Sequence, residues 1–335
     1  MNEFTNIPWN NIVSFGQKSL VNTKLFTVSW ILARFCNYNC SYCWPYARSS
    51  VLDHKSLDIY LSTIDEIKKQ ARNNGFANFH FSFSGGEPTA YKHFNKIIEH
   101  FSTDLEPSYQ SLHMTTNLSP GPKWWNKWIS CTSNLSRRSI TASFHSEFAN
   151  EDDFSEKCLY LISEGVYLTI NQVMVPSMFD ELYERCIRFY NKGINVTLKP
   201  QSDPTATFIV KDYTKDQIHK MQIGFPQKWK GQNLSQIELI DKDGIKYDFD
   251  QAERFNAFGF NRFSGWKCNA GYQGVVIREN QVKRSYSCKE EHLGTLEEGF
   301  KLFDEPRLCV TETCVSSADS KLPKEKIVFN KYKDE

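Results

Sequence analysis

The sequence predicts an α/β fold: a partial barrel of six strand–helix units, followed by a small C-terminal domain that contains β-hairpins. Between residues 25 and 203, short apolar runs alternate with longer amphipathic runs, and beyond residue 203 the alternation stops. Alternation of this kind is typical of parallel βα units. Six units are too few for a complete eight-fold barrel. We therefore expect an open or partial barrel.

Each predicted element rests on its own pattern. The runs rich in β-branched and aromatic residues predict strands at 25–33, 76–84, 111–117, 139–145, 166–175 and 194–200. The amphipathic runs between them predict helices at 56–72, 91–101, 122–131, 153–165 and 179–193. Gly165 and Gly193 stand where glycine often ends a helix, just before the next strand.

The C-terminal part has the pattern of a small domain rich in loops. Residues 237–249 predict a hairpin around Asp243-Gly244, and residues 271–288 predict a second one that turns at Glu279-Asn280. We expect an N-terminal extension at 1–24, the barrel at 25–235, the small domain at 236–320 and a Lys-rich solvated tail at 321–335.

Composition and charge exclude several classes of function. The 335 residues include 40 Lys+Arg and 39 Asp+Glu, a net charge of +1, which gives no electrostatic signature of a nucleic-acid partner or a membrane surface. No apolar run approaches the length of a membrane span, and the N-terminus lacks the features of a signal peptide. We expect a cytoplasmic protein, so the 10 cysteines indicate metal binding rather than disulfides.

Three cysteines follow the first predicted strand within eight positions: Cys36, Cys40 and Cys43. The carboxyl ends of parallel strands are where α/β folds bind ligands. Structural zinc sites are normally closed by a fourth ligand, and none stands nearby in the sequence. An iron–sulfur cluster is the natural ligand of clustered thiolates.

A second motif, FSFSGGEPTAY at 81–91, ends the next predicted strand with Gly85, Gly86 and Glu87. Together with the C-x3-C-x2-C loop it resembles the radical S-adenosylmethionine enzymes. The resemblance implies a TIM-like barrel in which the three cysteines bind a [4Fe–4S] cluster, with one iron open to the amino and carboxylate groups of S-adenosylmethionine. In that family, an electron from the cluster cleaves the sulfonium and yields a 5′-deoxyadenosyl radical. The resemblance also implies an electron donor such as flavodoxin or ferredoxin.

The glycines would let the backbone approach the ligand closely, and Glu87 would offer a carboxylate to its amino group. Tyr42 matches the family's aromatic position before the third cysteine. Asn117 and Ser143 fall where the family contacts the ribose or carboxylate of S-adenosylmethionine, with an ordinary hydrogen bond at a strand end as the alternative. His145 and Glu147 follow the fourth strand and are candidates for a substrate acid or base, with a structural role as the alternative.

A second group comprises Cys268, Cys288, Cys309 and Cys314, with the predicted hairpin 271–288 between the first two. Four thiolates complete either a zinc site or a fully ligated iron–sulfur cluster, and their spacing does not choose between the two. The surrounding WKCNAGYQG and SCKEEHLGTLEEGF resemble the C-terminal annex of many radical S-adenosylmethionine enzymes. With four cysteines the resemblance implies the short "twitch" form of a SPASM-like annex, which holds one auxiliary [4Fe–4S] cluster; zinc is the alternative.

The expected function is hydrogen abstraction from a small polar substrate: a carbohydrate, aminocyclitol or nucleoside derivative. The first alternative is a maturase of ribosomally made peptides. Those relatives often carry an N-terminal leader-binding domain, for which the 35 residues before Cys36 leave no room. The second alternative is a metal-binding scaffold protein without catalysis.

Overall fold

The computed structural model describes residues 7–18, 20, 24–43, 49–104, 106–204, 209–228, 237–249, 259–288 and 292–327. The chain divides into two compact units. The central unit comprises residues 30–61 and 80–230, and the terminal unit comprises residues 1–29, 62–79 and 231–335. Among the described residues, no helix combines the length and apolar character that a membrane crossing needs.

The central unit is built around strands that follow one another in chain order. They are β2 (Leu25–Ile31), β3 (Asn78–Ser84), β4 (Gln110–Thr116), β5 (Arg137–Ser143), β6 (Tyr167–Met174) and β7 (Asn195–Pro200), of which the first two begin in the terminal unit. The pairs β4–β5, β5–β6 and β6–β7 are parallel. The α/β class is therefore confirmed, whereas closure into a partial barrel stays a prediction.

Helices connect these strands where the amphipathic runs predicted them: α1 (Leu57–Asn73), α2 (Phe94–Ser102), α3 (Pro122–Cys131), α4 (Glu151–Ser163) and α5 (Phe179–Asn191). A further helix that the sequence analysis did not predict, α6 (Lys215–Ile223), follows β7. The first five lie within three residues of their predicted bounds. Gly165 and Gly193 follow α4 and α5 with φ of 80° and 96°, the left-handed conformation that glycine adopts without strain.

Aromatic side chains form much of the core of the central unit. Trp30 stacks on Phe83 at 5.7 Å between ring centroids and packs edge-on against Tyr60 at 5.7 Å. All three are fully buried. Truncating one such ring to alanine typically costs about 3–5 kcal/mol. These contacts hold the strand that leads directly into the cysteine loop.

The terminal unit contains a six-stranded antiparallel sheet that the sequence patterns did not reveal. Its strand order is β15 (Arg307–Leu308), β10 (Trp266–Cys268), β16 (Lys324–Lys326), β1 (Ile12–Gln17), β8 (Ile237–Asp241) and β9 (Lys246–Phe249). The predicted N-terminal extension thus supplies β1, and the start of the predicted solvated tail supplies β16. The tail prediction lies outside the described residues from 328 onward. Both segments pair with strands distant in sequence, so no local alternation marks them.

Both predicted hairpins are confirmed. Strands β8 and β9 pair around Gly244, which has a φ of 81°. Strands β11 (Gly274–Arg278) and β12 (Gln281–Lys283) pair around Glu279, whose φ is 56°. Strands β13 (His292–Thr295) and β14 (Gly299–Phe300) extend this second hairpin.

Candidate active site

The cysteine loop of the central unit begins on a carboxylate that the sequence analysis missed. Asp53 accepts hydrogen bonds from the backbone N–H of Arg34 at 2.8 Å and of Phe35 at 2.9 Å. Its two oxygens thereby fix the chain just before the first cysteine. Asp53 lies 17 residues beyond Cys36 in the sequence, and no spacing rule connects the two.

The glycine-rich turn after β3 packs directly on the start of this loop. The N–H of Gly86 donates to the carbonyl of Ala33 at 2.9 Å, and the N–H of Glu87 donates to that of Phe35 at 2.8 Å. A Cβ atom on Gly86 would lie 2.1 Å from the Phe35 oxygen, and one on Gly85 would lie 2.4 Å from the Ala33 oxygen. Glycine is required at both positions because the two backbones touch. The two motifs are therefore one assembly.

The Glu87 carboxylate is buried and already bonded to the protein. One oxygen accepts from the N–H of Thr89 at 3.0 Å, the hydroxyl of Thr89 at 2.6 Å and the hydroxyl of Thr116 at 2.8 Å. The other oxygen accepts from the N–H of Asn117 at 2.6 Å. Burial raises the pKa of Glu87, and these hydrogen bonds lower it. The structure thus gives Glu87 a task that the sequence did not predict, joining the glycine turn to the end of β4.

Asn117 directly follows β4, and Ser143 ends the neighbouring strand β5. The Asn117 amide donates to the side-chain oxygen of Asn37 in the cysteine loop at 2.9 Å, and its own oxygen accepts from the N–H of Ser119 at 2.9 Å. Ser143 is half-buried at the end of β5. Their contact with S-adenosylmethionine stays a prediction.

His145 and Glu147 contact the cysteine loop itself. The Tyr42 hydroxyl lies 2.7 Å from Nδ1 of His145, and the two rings stack at 5.9 Å. Glu147 accepts from the N–H of Ser41 at 2.9 Å and from its hydroxyl at 2.6 Å. Burial lowers the pKa of His145 to about 4, so the ring is neutral at neutral pH. Through these contacts His145 and Glu147 help to position the loop. An acid or base role of either residue toward substrate stays a prediction.

The loop turns between its last two cysteines, where the N–H of Cys43 donates to the carbonyl of Cys40 at 3.2 Å. Cys40 is 4% exposed, and Cys36 and Cys43 are half-buried. Burial raises the pKa of the Cys40 thiol to about 12, and the charges of Glu147, Cys43 and Cys36 add to this. A bound cation would reverse this preference for the protonated thiol.

A cavity of about 160 Å³ adjoins the loop. Its walls come from the cysteine loop, the segment after β5, β6 and the turn that follows it, α5 and the residue after β7: Ser41, Tyr42, Ser146, Glu147, Gln172, Val173, Val175, Met178, Leu182 and Gln201. Gln172 is 1% exposed; its amide nitrogen donates to the carbonyl of Val173 at 3.0 Å, and its buried Oε1 accepts no hydrogen bond. A buried acceptor without a donor is costly, typically about 1–3 kcal/mol.

The second group of cysteines lies in the terminal unit. Cys268, Cys288, Cys309 and Cys314 are all buried, between 4% and 8% exposed. Burial raises the pKa of Cys309, and charge on Cys268 and Cys288 raises it further. Burial raises that of Cys314 to about 12, with a contribution from Cys268. Electrostatic interaction thus links Cys309 and Cys314 to Cys268, and the Thr311 hydroxyl lies 3.7 Å from Sγ of Cys288.

Both groups have the donor chemistry of thiolate-bound iron. Three thiols in one loop and four buried thiols in another unit are the donor type that binds iron–sulfur clusters, and four thiols also suit zinc. Among the described residues, no three His, Cys, Asp or Glu side chains are arranged to hold a single metal ion.

Comparison with protein families gives a match over the segment that holds the cysteine loop and the glycine turn. Residues 30–135 match the family model of the Radical SAM superfamily. This range contains the cysteine loop, the glycine turn and the end of β4.

Two solved structures are similar over most of the chain. "SeMet BtrN in an OPEN conformation" has 11% identity and a TM-score of 0.38, covering 82% of this chain and 77% of that one. "BtrN in complex with AdoMet and 2-DOIA" has 11% identity and a TM-score of 0.41, covering 82% of this chain and 80% of that one. No curated protein matches this chain.

Proposed function

We propose that this protein is a radical S-adenosylmethionine enzyme. The observation that carries the proposal is the docking of the cysteine loop on the glycine turn, where Glu87 N–H donates to the carbonyl of Phe35 at 2.8 Å. The family match to residues 30–135 supports it independently. In this proposal Cys36, Cys40 and Cys43 hold a [4Fe–4S] cluster that has one open iron.

In this proposal the residues around the loop hold it in place for the cluster. When bound, the cluster would supply the electron that cleaves S-adenosylmethionine to a 5′-deoxyadenosyl radical. Asp53 and the glycine turn fix the start of the loop, and Glu147 fixes its middle through Ser41. Rigid support of this kind keeps ligands in place while one coordination position stays open.

Anaerobic reconstitution with iron and sulfide, followed by assay for 5′-deoxyadenosine, tests this function. We expect product from the reconstituted protein with S-adenosylmethionine and a chemical reductant. Cys36→Ala, Cys40→Ala and Cys43→Ala should each abolish it, whereas Cys131→Ala, which lies outside both cysteine groups, should not. Normal product from any of the first three variants would show that the site is wrongly assigned.

The cavity beside Tyr42 is proposed to take the adenine of S-adenosylmethionine. The walls combine apolar side chains such as Val173 and Leu182 with polar ones, and the buried Oε1 of Gln172 lacks the donor that an exocyclic amine would provide. Binding of S-adenosylmethionine should therefore exceed binding of its inosine analogue, which lacks that amine. Gln172→Leu should erase the difference in calorimetry. An undiminished preference in this variant would remove Gln172 from the adenine site.

The four cysteines of the terminal unit are proposed to hold an auxiliary [4Fe–4S] cluster, in a twitch-like annex. The reconstituted protein should then carry about eight irons, and the variant with all four replaced by alanine about four, since each cluster has four. Zinc in the annex, with about four irons in the whole protein, would leave the annex a structural role only.

The proposed substrate is a small polar molecule of the carbohydrate, aminocyclitol or nucleoside class, and the reducing partner is a flavodoxin or ferredoxin. A peptide maturase is the alternative. Deuterated metabolites, separated into small-molecule and peptide fractions, can be incubated with the enzyme. Deuterium in 5′-deoxyadenosine should come from the small-molecule fraction; transfer from the peptide fraction alone would favour the maturase. A scaffold protein would form no 5′-deoxyadenosine with either fraction.

A further inference from the structure

A fully buried lysine lies beside the second cysteine group. Lys324 is 1% exposed, and in the antiparallel pair β10–β16 it stands directly opposite Cys268. Lysine is almost never fully buried unless it is paired. Its burial therefore calls for a physical explanation.

The ammonium is held by backbone carbonyls from one turn of chain. Nζ donates to the carbonyl oxygens of Asp319 at 2.9 Å, Ser320 at 3.2 Å and Leu322 at 2.9 Å. Three acceptors require three N–H groups, which only the charged form of lysine has. The Phe263 ring, 4.7 Å from Nζ, adds a cation–π contact. The structure thus fixes a full positive charge in the interior of the terminal unit.

That charge lies beside the cysteines in the fold, because Lys324 is the cross-strand partner of Cys268 in β10–β16. Cys309 is bonded to the same strand as Cys268, since its N–H donates to the carbonyl of Trp266 at 2.7 Å. Asp319, which is 3% exposed, provides a nearby carboxylate that accepts from the N–H of Ser287, the residue before Cys288, at 3.1 Å.

A [4Fe–4S] cluster bound by four thiolates carries net negative charge, and one-electron reduction adds another negative charge in the same place. A fixed cation nearby stabilises the reduced form more than the oxidised form, because charge and its surroundings set the potentials of such clusters. The electron comes from a reductant of the flavodoxin or ferredoxin class. The step transfers one electron to the cluster and no proton.

We propose that Lys324 raises the reduction potential of the auxiliary cluster by compensating the charge of the four cysteine ligands. This inference rests on the proposed auxiliary cluster. Lys324 acts through its position in β16 and touches neither substrate nor S-adenosylmethionine in the proposed mechanism. It is a positioning and tuning residue.

The test is a potentiometric titration of the auxiliary cluster, followed by electron paramagnetic resonance. It uses the full chain with Cys36→Ala, Cys40→Ala and Cys43→Ala, so that only the annex can bind a cluster. Lys324→Met should make the equilibrium constant for reduction at least tenfold less favourable, which is about 59 mV for one electron. Lys324→Arg should restore the potential.

Lys326→Met is the matched control. This lysine lies two residues further along the same strand and is exposed, so water screens its charge. Its removal should shift the equilibrium constant by much less than tenfold. Equal shifts in Lys324→Met and Lys326→Met would overturn the proposal.

A variant that no longer retains iron in the annex is interpreted separately. If Lys324→Met fails to retain iron, Lys324→Arg decides: iron retained at the original potential supports a role of charge, and iron lost shows a role in packing alone. Absence of iron from the annex of the otherwise unchanged protein would overturn the proposed auxiliary cluster and this inference together. Iron present with an unmoved potential in Lys324→Met overturns the inference alone.

Discussion

At the scale of single residues, Gly86 has no room for a methyl group. Its Cβ atom would lie 2.1 Å from the Phe35 oxygen and 2.4 Å from that of Arg34, and backbone atoms cannot move aside as a flexible side chain can. Gly86→Ala should lower the free energy of unfolding by about 1–3 kcal/mol, as overpacking typically does. It should also reduce iron retained by the cysteine loop.

Gly121→Ala is the control for this change. Gly121 caps the N-terminus of α3, and a Cβ there would meet nothing within 4 Å. Urea unfolding and iron analysis of both variants provide the measurement. Equal stability and iron content for the two would show that the glycine turn can separate from the cysteine loop without consequence.

Glu87 allows a second test at this scale. Each carboxylate oxygen accepts a backbone N–H, from Thr89 on one side and Asn117 on the other. In Glu87→Gln the new amide nitrogen therefore faces an N–H in either orientation. The protein without ligand should lose about 1–3 kcal/mol of unfolding free energy.

The exposed Glu156 on α4 provides the comparison, because Glu156→Gln should change stability little. If Glu87→Gln matched Glu156→Gln in stability and only weakened binding of S-adenosylmethionine, Glu87 would be a ligand contact rather than a structural one.

At the scale of elements, Glu151 joins the first turn of α4 to α5. Its oxygens accept from Nε and Nη2 of Arg188, both at 2.7 Å, and from Nε of Arg185 at 3.3 Å. The hydrogen bond and charge of Arg188 hold the pKa of Glu151 below its usual value. Glu151→Gln should cost about 1 kcal/mol at neutral pH, since Arg188 is 52% exposed and water screens the pair.

The pH dependence follows from the sign of the shift. A carboxylate with a lowered folded pKa stabilises the protein above its unfolded pKa, and this stabilisation is lost as pH falls through the folded pKa. The difference in free energy of unfolding between wild type and Glu151→Gln, measured by urea unfolding, should therefore become smaller in acid. Asp152→Asn, whose side chain is 83% exposed, should show a smaller difference. A difference in free energy of unfolding that does not change with pH would exclude the ion pairs of Glu151 as its cause.

Elements with a local pattern could be predicted from the sequence, and elements without one could not. The strands and helices of the central unit and both hairpins follow from periodicity and turn residues. Strand β1 pairs with β8 and with β16, both of which lie more than 200 residues away in the sequence. Pairing between such distant segments leaves no local pattern in the sequence. The same holds for Lys324, which reads as a solvated residue because its carbonyl partners come from a turn that only the fold defines.

The candidate site divides in the same way. The cysteines and the glycine turn were identified from spacing and resemblance, because the residues of each motif lie close together in the sequence. Asp53, and the contact of Glu147 with Ser41, were not, because each bond joins segments that only the folded chain brings together. The acid or base roles predicted for His145 and Glu147 stay predictions, and the structure shows in addition that both residues contact the cysteine loop.

At the scale of the whole molecule, the central claim is that three cysteines leave one iron open to S-adenosylmethionine. Electron paramagnetic resonance of the reduced cluster tests it most directly, in protein whose four annex cysteines are replaced by alanine so that one cluster remains. Direct coordination changes the ligands of one iron, so adding S-adenosylmethionine should change the spectrum, and 5′-deoxyadenosine should form. A spectrum that stays the same with a full first cluster and saturating S-adenosylmethionine would contradict the claim.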